Sequence, residues 1–155
     1  PLFHAALRPA HENSGKLVTL VKQQARLLGL DEGYPIVIVD GPPGIGCPVI
    51  ASLSGASQVL VITEPTVSGE HDLERVLALT RHFQIPAYVC VNKWDINPEM
   101  TERIEKKASE TGAQIAGRIR YDHAVTQAQI QQKAVVEIKA DCAQDIIQIW
   151  EKLNV

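Results

Sequence analysis

The chain has 155 residues, 45% of them hydrophobic and 21% charged, with a net charge of −3. That length fits one α/β domain over residues 1–155 with a single core, and the charge balance lacks the clustered Lys and Arg of a nucleic-acid surface, so no nucleic-acid partner is expected. No apolar run approaches the roughly 20 residues of a membrane span, and the first residues have no charged start followed by an apolar stretch, so no signal peptide is read there. Cys47, Cys90 and Cys142 are widely spaced and form no CxxC, which argues against a disulfide framework or a self-contained metal site. A cytoplasmic chain is the simplest reading. Pro1 stands where a Met would open a complete chain, and the sequence is expected to be cut from something longer.

In chain order, Ser14 is placed to cap a helix whose Leu17, Leu20, Val21 and Leu28 share a face, with Gly29 where such a helix stops. Ile36–Val39 and Val59–Ile62 are purely apolar and too short for helices, and Ala87–Val91 follows Pro86 in the same style. Strands buried on both faces read this way, and they belong to parallel sheets. Ser68 is expected to cap the next long helix, with Leu73, Val76, Leu77 and Thr80 inward. Asn97-Pro98 is a cap followed by proline at the first helical position; that helix carries Met100, Ile104 and Ala108 on one side and ends at Gly112. Gln114–Ile119 is a weaker fourth strand, and a last helix from about Asp141 to Leu153 buries Ile146, Ile149, Trp150 and Leu153. Strands alternating with helices predict an α/β fold, a parallel sheet flanked by helices in three layers. Ligands of such sheets bind beyond the carboxyl ends of the strands, so the loops there are the places to look for chemistry.

The loop after Ile36–Val39 runs Asp40-Gly41-Pro42-Pro43-Gly44-Ile45-Gly46-Cys47-Pro48. An acid ending a buried strand and entering a Gly/Pro loop has the form of a Walker B aspartate leading into a switch loop. Asp40 would sit near Mg²⁺ through water, since that ion gives up its waters reluctantly. Gly44 lets its N–H approach a terminal phosphate because no Cβ intervenes. The alternative is a tight turn in which Asp40 caps the following helix. The pattern Asp-x-Pro-x-Gly-Ile, matched by Asp40, Pro42, Gly44 and Ile45, resembles the switch loop of MinD/ParA-type P-loop ATPases. The run on through Cys47, Pro48, Val49 and Ile50, and the segment Glu12-Asn13-Ser14-Gly15-Lys16-Leu17-Val18, are similar to the subgroup that carries an inserted ferredoxin domain. The resemblance covers nearly all of this chain but only the later part of the family's architecture, so it implies a partial P-loop NTPase-like fold.

Thr63-Glu64-Pro65-Thr66-Val67-Ser68-Gly69 resembles a turn of the same subgroup. Glu64 is a charged rim residue or part of a contact between protomers; the simpler reading is that Pro65 shapes the turn and Ser68 caps the helix. His71 and Asp72 read as a solvated pair rather than a metal site. Asn92-Lys93-Trp94-Asp95 follows the Ala87–Val91 strand. GTPases use Asn-Lys-x-Asp there, the aspartate taking two hydrogen bonds from guanine. In MinD-like proteins, which the chain resembles, an Asn at this place contacts adenine. GTPases also carry Asp-x-x-Gly after the Walker B strand, whereas the residue three beyond Asp40 is Pro43 and the glycine comes at Gly44. That spacing favours the MinD-like pattern and ATP. Trp94 either stacks on a base or packs against the sheet edge. Gly117-Arg118-Ile119-Arg120-Tyr121-Asp122 resembles the family's Ile-Pro-Tyr-Asp turn beside the base, with Arg120 in place of the proline.

A P-loop needs Gly-x-x-x-x-Gly-Lys-[Ser/Thr] between a strand and a helix. The nearest match, Gly15-Lys16, has Ala10 at the first glycine position and Leu17 at the hydroxyl position, so Lys16 reads as a helix-face residue. The ferredoxin insert, with its cysteine clusters for iron–sulfur centres, is not in the sequence either. The resemblance therefore implies a parent that binds ATP and Mg²⁺, forms a homodimer and works on a metalloprotein client or iron–sulfur assembly. In that parent Asp40 and Gly44 would be catalytic, and Gly41, Pro42, Asn92, Lys93, Asp95 and Arg120 would bind the nucleotide. This chain alone is expected to hold no cofactor tightly and to be inactive, because phosphoryl transfer is almost entirely positioning and charge stabilisation. The competing readings are a GTPase-like switch and a non-catalytic interaction domain. In the family's fold the P-loop strand lies between the counterparts of Ile36–Val39 and Val59–Ile62. Without it, direct pairing of those two segments is expected, ahead of filling by Ala134–Ile138, by Leu2–Leu7 or by a second copy. Cys90 is expected to be an inert buried thiol. Cys47 is the plausible reactive position, against the simpler reading of a small residue packed under its loop.

Overall fold

The computed structural model describes residues 1–5 and 15–153. Its contacts divide the chain into two compact units, Pro1–Ser57 and Gln58–Val155.

The second unit holds a parallel sheet of three strands in the order β1 (Val59–Thr63), β2 (Ala87–Asn92) and β3 (Gln114–Ile119). β1 registers Val59 against Ala87 and Thr63 against Val91. β2 and β3 slip by one residue after Val89, which pairs with Ile115 while Cys90 pairs with Gly117. Three long helices complete the unit: α3 (Val67–His82), α4 (Pro98–Glu110) and α6 (Asp141–Lys152). Successive strand residues face opposite sides. Val89 and Val91 accordingly join Leu73 and Leu77 of α3 and Ile104 and Ala108 of α4 in one buried cluster, while Cys90 and Ala116 pack with Ile149 of α6 in another. Helices on both faces make the three layers that the alternating pattern predicts. Gly117 belongs to the second interface: a Cβ there would lie 2.8 Å from Ile149 Cγ1.

The helix ends follow local chemistry. Asn97 caps α4, its side chain accepting from the Met100 N–H at 3.1 Å, and Pro98 takes the first helical position. Gly112, at φ +86°, follows the end of α4. For α3 the cap is Thr66, not Ser68. Thr66 is extended and accepts from the Gly69 N–H at 3.0 Å, whereas Ser68 already lies within the first turn. α6 buries Cys142, Ala143, Asp145 and Ile149, and Leu153 at its end, but Trp150 is 45% exposed, contrary to expectation. The inward stripe runs through the small residues Cys142 and Ala143 and leaves the indole outside it. A short helix, α5 (Ala124–Ile130), has no counterpart among the expected elements. Val135–Glu137 is a 3₁₀ turn rather than an extended segment.

The first unit contains α1 (Gly15–Glu32) and α2 (Cys47–Leu53). α1 passes through Gly29, which is buried, and stops a turn later at Gly33, φ +71°. The two helices lie side by side: a Cβ on Gly15 would meet the Cys47 carbonyl at 2.9 Å. Lys22 Nζ donates to the carbonyls of Ser52 at 2.7 Å and Ala51 at 3.3 Å, and also to Ser54. A cation on the last carbonyls of a helix suits its dipole. Burial, and secondarily Arg26, lower the Lys22 pKa. Ser14, the expected cap of α1, lies outside the described residues, as do Glu12 and Asn13 of the Glu12–Val18 segment and Ala6 and Leu7 of Leu2–Leu7.

One expectation fails outright. Ile36–Val39 is not a strand, and its four side chains are 38–75% exposed. The direct pairing with Val59–Ile62 is absent, since the sheet contains β1, β2 and β3 and no other described segment. Strand-like composition does not make a strand without a ladder partner to take its N–H and C=O groups. β1 is consequently an edge strand, with Leu60 36% and Ile62 58% exposed.

Candidate functional site

The carboxyl ends of β1, β2 and β3 release three loops, and these carry Asn92, Lys93, Asp95 and Arg120, half of the expected site residues. The first starts at Thr63, whose hydroxyl donates to the Gly69 carbonyl at 3.0 Å. Thr66 N–H donates to the Glu64 carbonyl at 2.8 Å, closing the turn tightly. The start of α3 lies directly on this turn: a Cβ at Gly69 would stand 2.3 Å from the Glu64 carbonyl oxygen and 2.9 Å from Thr63 Oγ1. Glycine is a physical requirement here, and the folded turn presents the Glu64 side chain toward the next loop.

That loop begins at Asn92, the half-buried last residue of β2. Lys93 occupies the left-handed region at φ +55°, uncommon for a non-glycine residue and a mark of local constraint. Its carbonyl accepts from the Ile96 N–H at 3.1 Å, and its Nζ donates to Glu64 Oε1 at 2.7 Å. Glu64 is thus paired within the chain, and the pairing raises the Lys93 pKa. Trp94 packs against the core cluster of Leu73, Leu77 and Ile104, with the Arg118 guanidinium 5.3 Å from its ring centroid. Arg118 itself grips both oxygens of Glu105 at 2.7 Å. Of the two roles open for Trp94, packing is the one the structure displays. Asp95 Oδ1 accepts the Tyr121 N–H at 2.8 Å.

The third loop is organised by carboxylates. Asp145 of α6 accepts from Arg120 Nε and Nη2, each at 2.8 Å, and from the Arg120 backbone N–H at 3.1 Å. A proline here could not donate that last bond, so an arginine at position 120 has its physical counterpart in Asp145. The hydrogen bonds from Arg120 hold Asp145 below its ordinary range, and Asp145 in turn raises the arginine. Asp122 accepts from Ala124 N–H at 2.8 Å and from Cys142 N–H at 3.4 Å, and the Ala124 bond leads in lowering its pKa. Tyr121 is half exposed, with the His123 ring edge-on at 5.1 Å between centroids.

The Asp40 loop belongs to the first unit. Asp40, Gly41 and Gly44 are exposed and Pro42 is half-buried. Asp40 does not cap α2, whose N-cap is Gly46 with no side-chain bond. Gly44 adopts φ +90° with no atom within 4 Å of where a Cβ would lie, so its backbone is open to approach. Cys47 is exposed at the start of α2, while Cys90 is fully buried, its pKa pushed up to about 12 by burial first and then by Asp145 and Glu105. His71 Nδ1 and Asp72 Oδ1 are 3.8 Å apart and both exposed, a solvated pair. Among the described residues no three His, Cys, Asp or Glu converge as a metal site.

Sequence reasoning missed Gly69, Asp145 and the buried Glu70, which accepts from Arg103 Nε at 2.8 Å and lies 3.0 Å from Lys107. The Thr66–Gly69 spacing of a capped first turn was a usable signal for the first. Asp145 and Glu70 reach partners 25 and 33 residues away, and nothing local marks them.

No family model matches the sequence. The uncharacterized proteins MJ0578 and MJ0579 of Methanocaldococcus jannaschii are similar, at 32% identity over 97 residues and 33% over 84. These alignments cover 63% and 54% of this chain but only 34% and 30% of those proteins. Among solved structures, the MinD cell division protein of Aquifex aeolicus superposes with a TM-score of 0.71 at 22% identity, over 91% of this chain and 61% of its own. MinD of Pyrococcus horikoshii, complexed with Mg-ADP, gives 0.72 at 15% identity, over 91% and 57%. The MinC:MinD complex of Aquifex aeolicus gives 0.71 at 23%, over 91% and 59%. The chain thus spans about three-fifths of those MinD chains and about a third of the archaeal relatives. Its fold is the α/β fold of the MinD ATPases, a parallel sheet flanked by helices.

Proposed function

We propose that this chain is the C-terminal portion of a MinD-like ATP-binding protein, and that the whole protein hydrolyses ATP with Mg²⁺. The observation that carries this reading is the meeting of the Asn92–Asp95 and Arg120–Asp122 turns beyond adjacent strand ends, joined by the Asp95–Tyr121 hydrogen bond in a MinD fold. Nucleotides bind such sheets at this edge. Asn92, Lys93, Asp95 and Arg120 would border the base. Gly41 and Pro42 would shape the switch loop, Gly44 would offer its amide to the terminal phosphate, and Asp40 would hold Mg²⁺ through water. The open backbone at Gly44 and the exposed Asp40 carboxylate suit those partners.

The phosphate-binding loop belongs, in this reading, to a part of the protein that precedes the 155 residues. Support comes from the share of each MinD chain that is matched and from β1, an edge strand with apolar side chains exposed. A ferredoxin domain with iron–sulfur clusters, homodimerisation, a metalloprotein client and a cytoplasmic setting complete the proposal. The cytoplasmic setting rests on the widely spaced cysteines, and the others on the resemblance of the switch loop and of the Glu12–Val18 segment. The 155-residue chain itself would not turn over ATP. Incubation with Mg-ATP and phosphate release tests this. Turnover that survives purification and disappears in Asp40→Ala would sink the claim that the missing loop is essential.

A further inference from the structure

The turn after β3 leaves backbone amides beyond the last ladder residue, and carboxylates collect them one by one. Arg120 N–H goes to Asp145, Tyr121 N–H to Asp95, and Ala124 N–H to Asp122. Asp122 is local to the turn and Asp145 belongs to α6. Asp95 is the one that reaches from the loop after β2.

Lys93 and Trp94 of that loop are also engaged inside the protein. Lys93 is paired with Glu64, and Trp94 packs beneath Arg118 and accepts the Thr101 hydroxyl at its carbonyl, 3.0 Å away. We propose that Asp95 is a positioning residue: it latches the β3 turn to the β2 loop and so fixes where Tyr121 stands, instead of reading a base as the aspartate of a guanine site does. The ligand arm of this inference rests on the nucleotide reading above; the latch itself does not.

The chemistry of asparagine separates the two roles. A latch needs only an acceptor for one N–H, and Asn retains Oδ1 for that purpose. A guanine reader must accept from two base N–H groups, and the NH₂ of Asn opposes one of them. Asp95→Asn therefore preserves a latch and spoils a reader, whereas Asp95→Ala removes both.

The test is amide exchange measured by NMR on the 155-residue chain. In Asp95→Ala, exchange at Tyr121 should rise about fivefold to tenfold, the equivalent of one ordinary hydrogen bond. In Asp95→Asn it should stay within about twofold, most of that bond being retained. A scalar coupling across the bond, from Tyr121 ¹⁵N to Asp95 ¹³Cγ, checks the contact in the unsubstituted chain even if a variant fails to fold. Titration of the longer protein that carries the phosphate-binding loop with Mg-ATP, Mg-GTP and Mg-XTP supplies the ligand arm, and Asp95→Asn should produce no gain of XTP over GTP. Unaltered Tyr121 exchange in Asp95→Ala, a missing coupling, or a shift from GTP to XTP in Asp95→Asn would each overturn the assignment. Binding of none of the three nucleotides by the longer protein, with the exchange pattern as expected, would count against the nucleotide reading and leave the latch intact.

Discussion

Replacing Gly69 with alanine sets two rules against each other. Gly69 lies in the first turn of a 16-residue helix, where Ala in place of Gly ordinarily stabilises by about 0.5–1 kcal/mol. The structure says the opposite. The new Cβ would stand 2.3 Å from the Glu64 carbonyl oxygen, 2.9 Å from Thr63 Oγ1 and 3.1 Å from Thr66 Oγ1. Relief requires the helix start and the turn to part by about 1 Å, beyond the range of good packing contact. That movement breaks the Thr66 cap, worth about 1 kcal/mol, and the Thr63–Gly69 hydrogen bond, worth about 1 kcal/mol. Residual strain of an overpacked site adds about 1–3 kcal/mol. After the propensity gain is subtracted, the net loss is roughly 2–4 kcal/mol. Both tryptophans, Trp94 and Trp150, lie in the Gln58–Val155 unit, so their fluorescence follows its unfolding in urea. For a slope of about 2 kcal/mol/M the midpoint should fall by about 1–2 M. An unchanged or higher midpoint would refute the close approach of α3 to the Glu64 carbonyl.

Glu70→Gln should destabilise the same unit by roughly 1–2 kcal/mol, discounted because Arg103 and Lys107 are themselves partly exposed. Urea melts should show the gap closing under acid. Burial pushes the Glu70 carboxyl up, but the bonds from Lys107 and Arg103 outweigh it and leave the pKa below 4.5. Its contribution is therefore complete above that value and is lost as pH falls through the folded one. Arg120→Pro removes three hydrogen bonds from Asp145 and should lower the thermal midpoint. Asp145 is likewise held below its ordinary 3.8, so the deficit should be full at neutral pH and shrink below that value. With a thiol reagent under native conditions, exposed Cys47 should label well before buried Cys90, whose thiolate is disfavoured by burial; the reverse order would mean that Cys90 is not in the central strand.

How far the sequence could be read depended on where each signal was encoded. The short apolar runs at Val59 and Ala87 and the Asn97-Pro98 cap are local, and each reappears within a residue or two. Ile36–Val39 has the same composition, yet a strand is a relation between segments, and its partner is not among the described residues. The Ser68 and Gly29 expectations failed for a narrower reason. Both residues suit a helix end chemically, but Thr66 and Gly33 occupy the backbone conformations that end it. At the site, Asn92-Lys93-Trp94-Asp95 was legible as a motif, whereas its ties to Glu64, Arg118 and Tyr121 join residues 24–29 positions apart. The motif alone left Trp94 undecided between stacking on a base and packing against the sheet edge, and its packing against the core cluster is visible only in the fold.

The measurement closest to the central claim is Mg²⁺-dependent ATP hydrolysis, compared between this chain and the longer protein that would carry a phosphate-binding loop ahead of it. The account predicts turnover by the longer protein, with ATP preferred to GTP and activity lost in Asp40→Ala, and none by the 155 residues alone. Turnover by the 155 residues that Asp40→Ala abolishes, or a longer protein that prefers GTP, would contradict it.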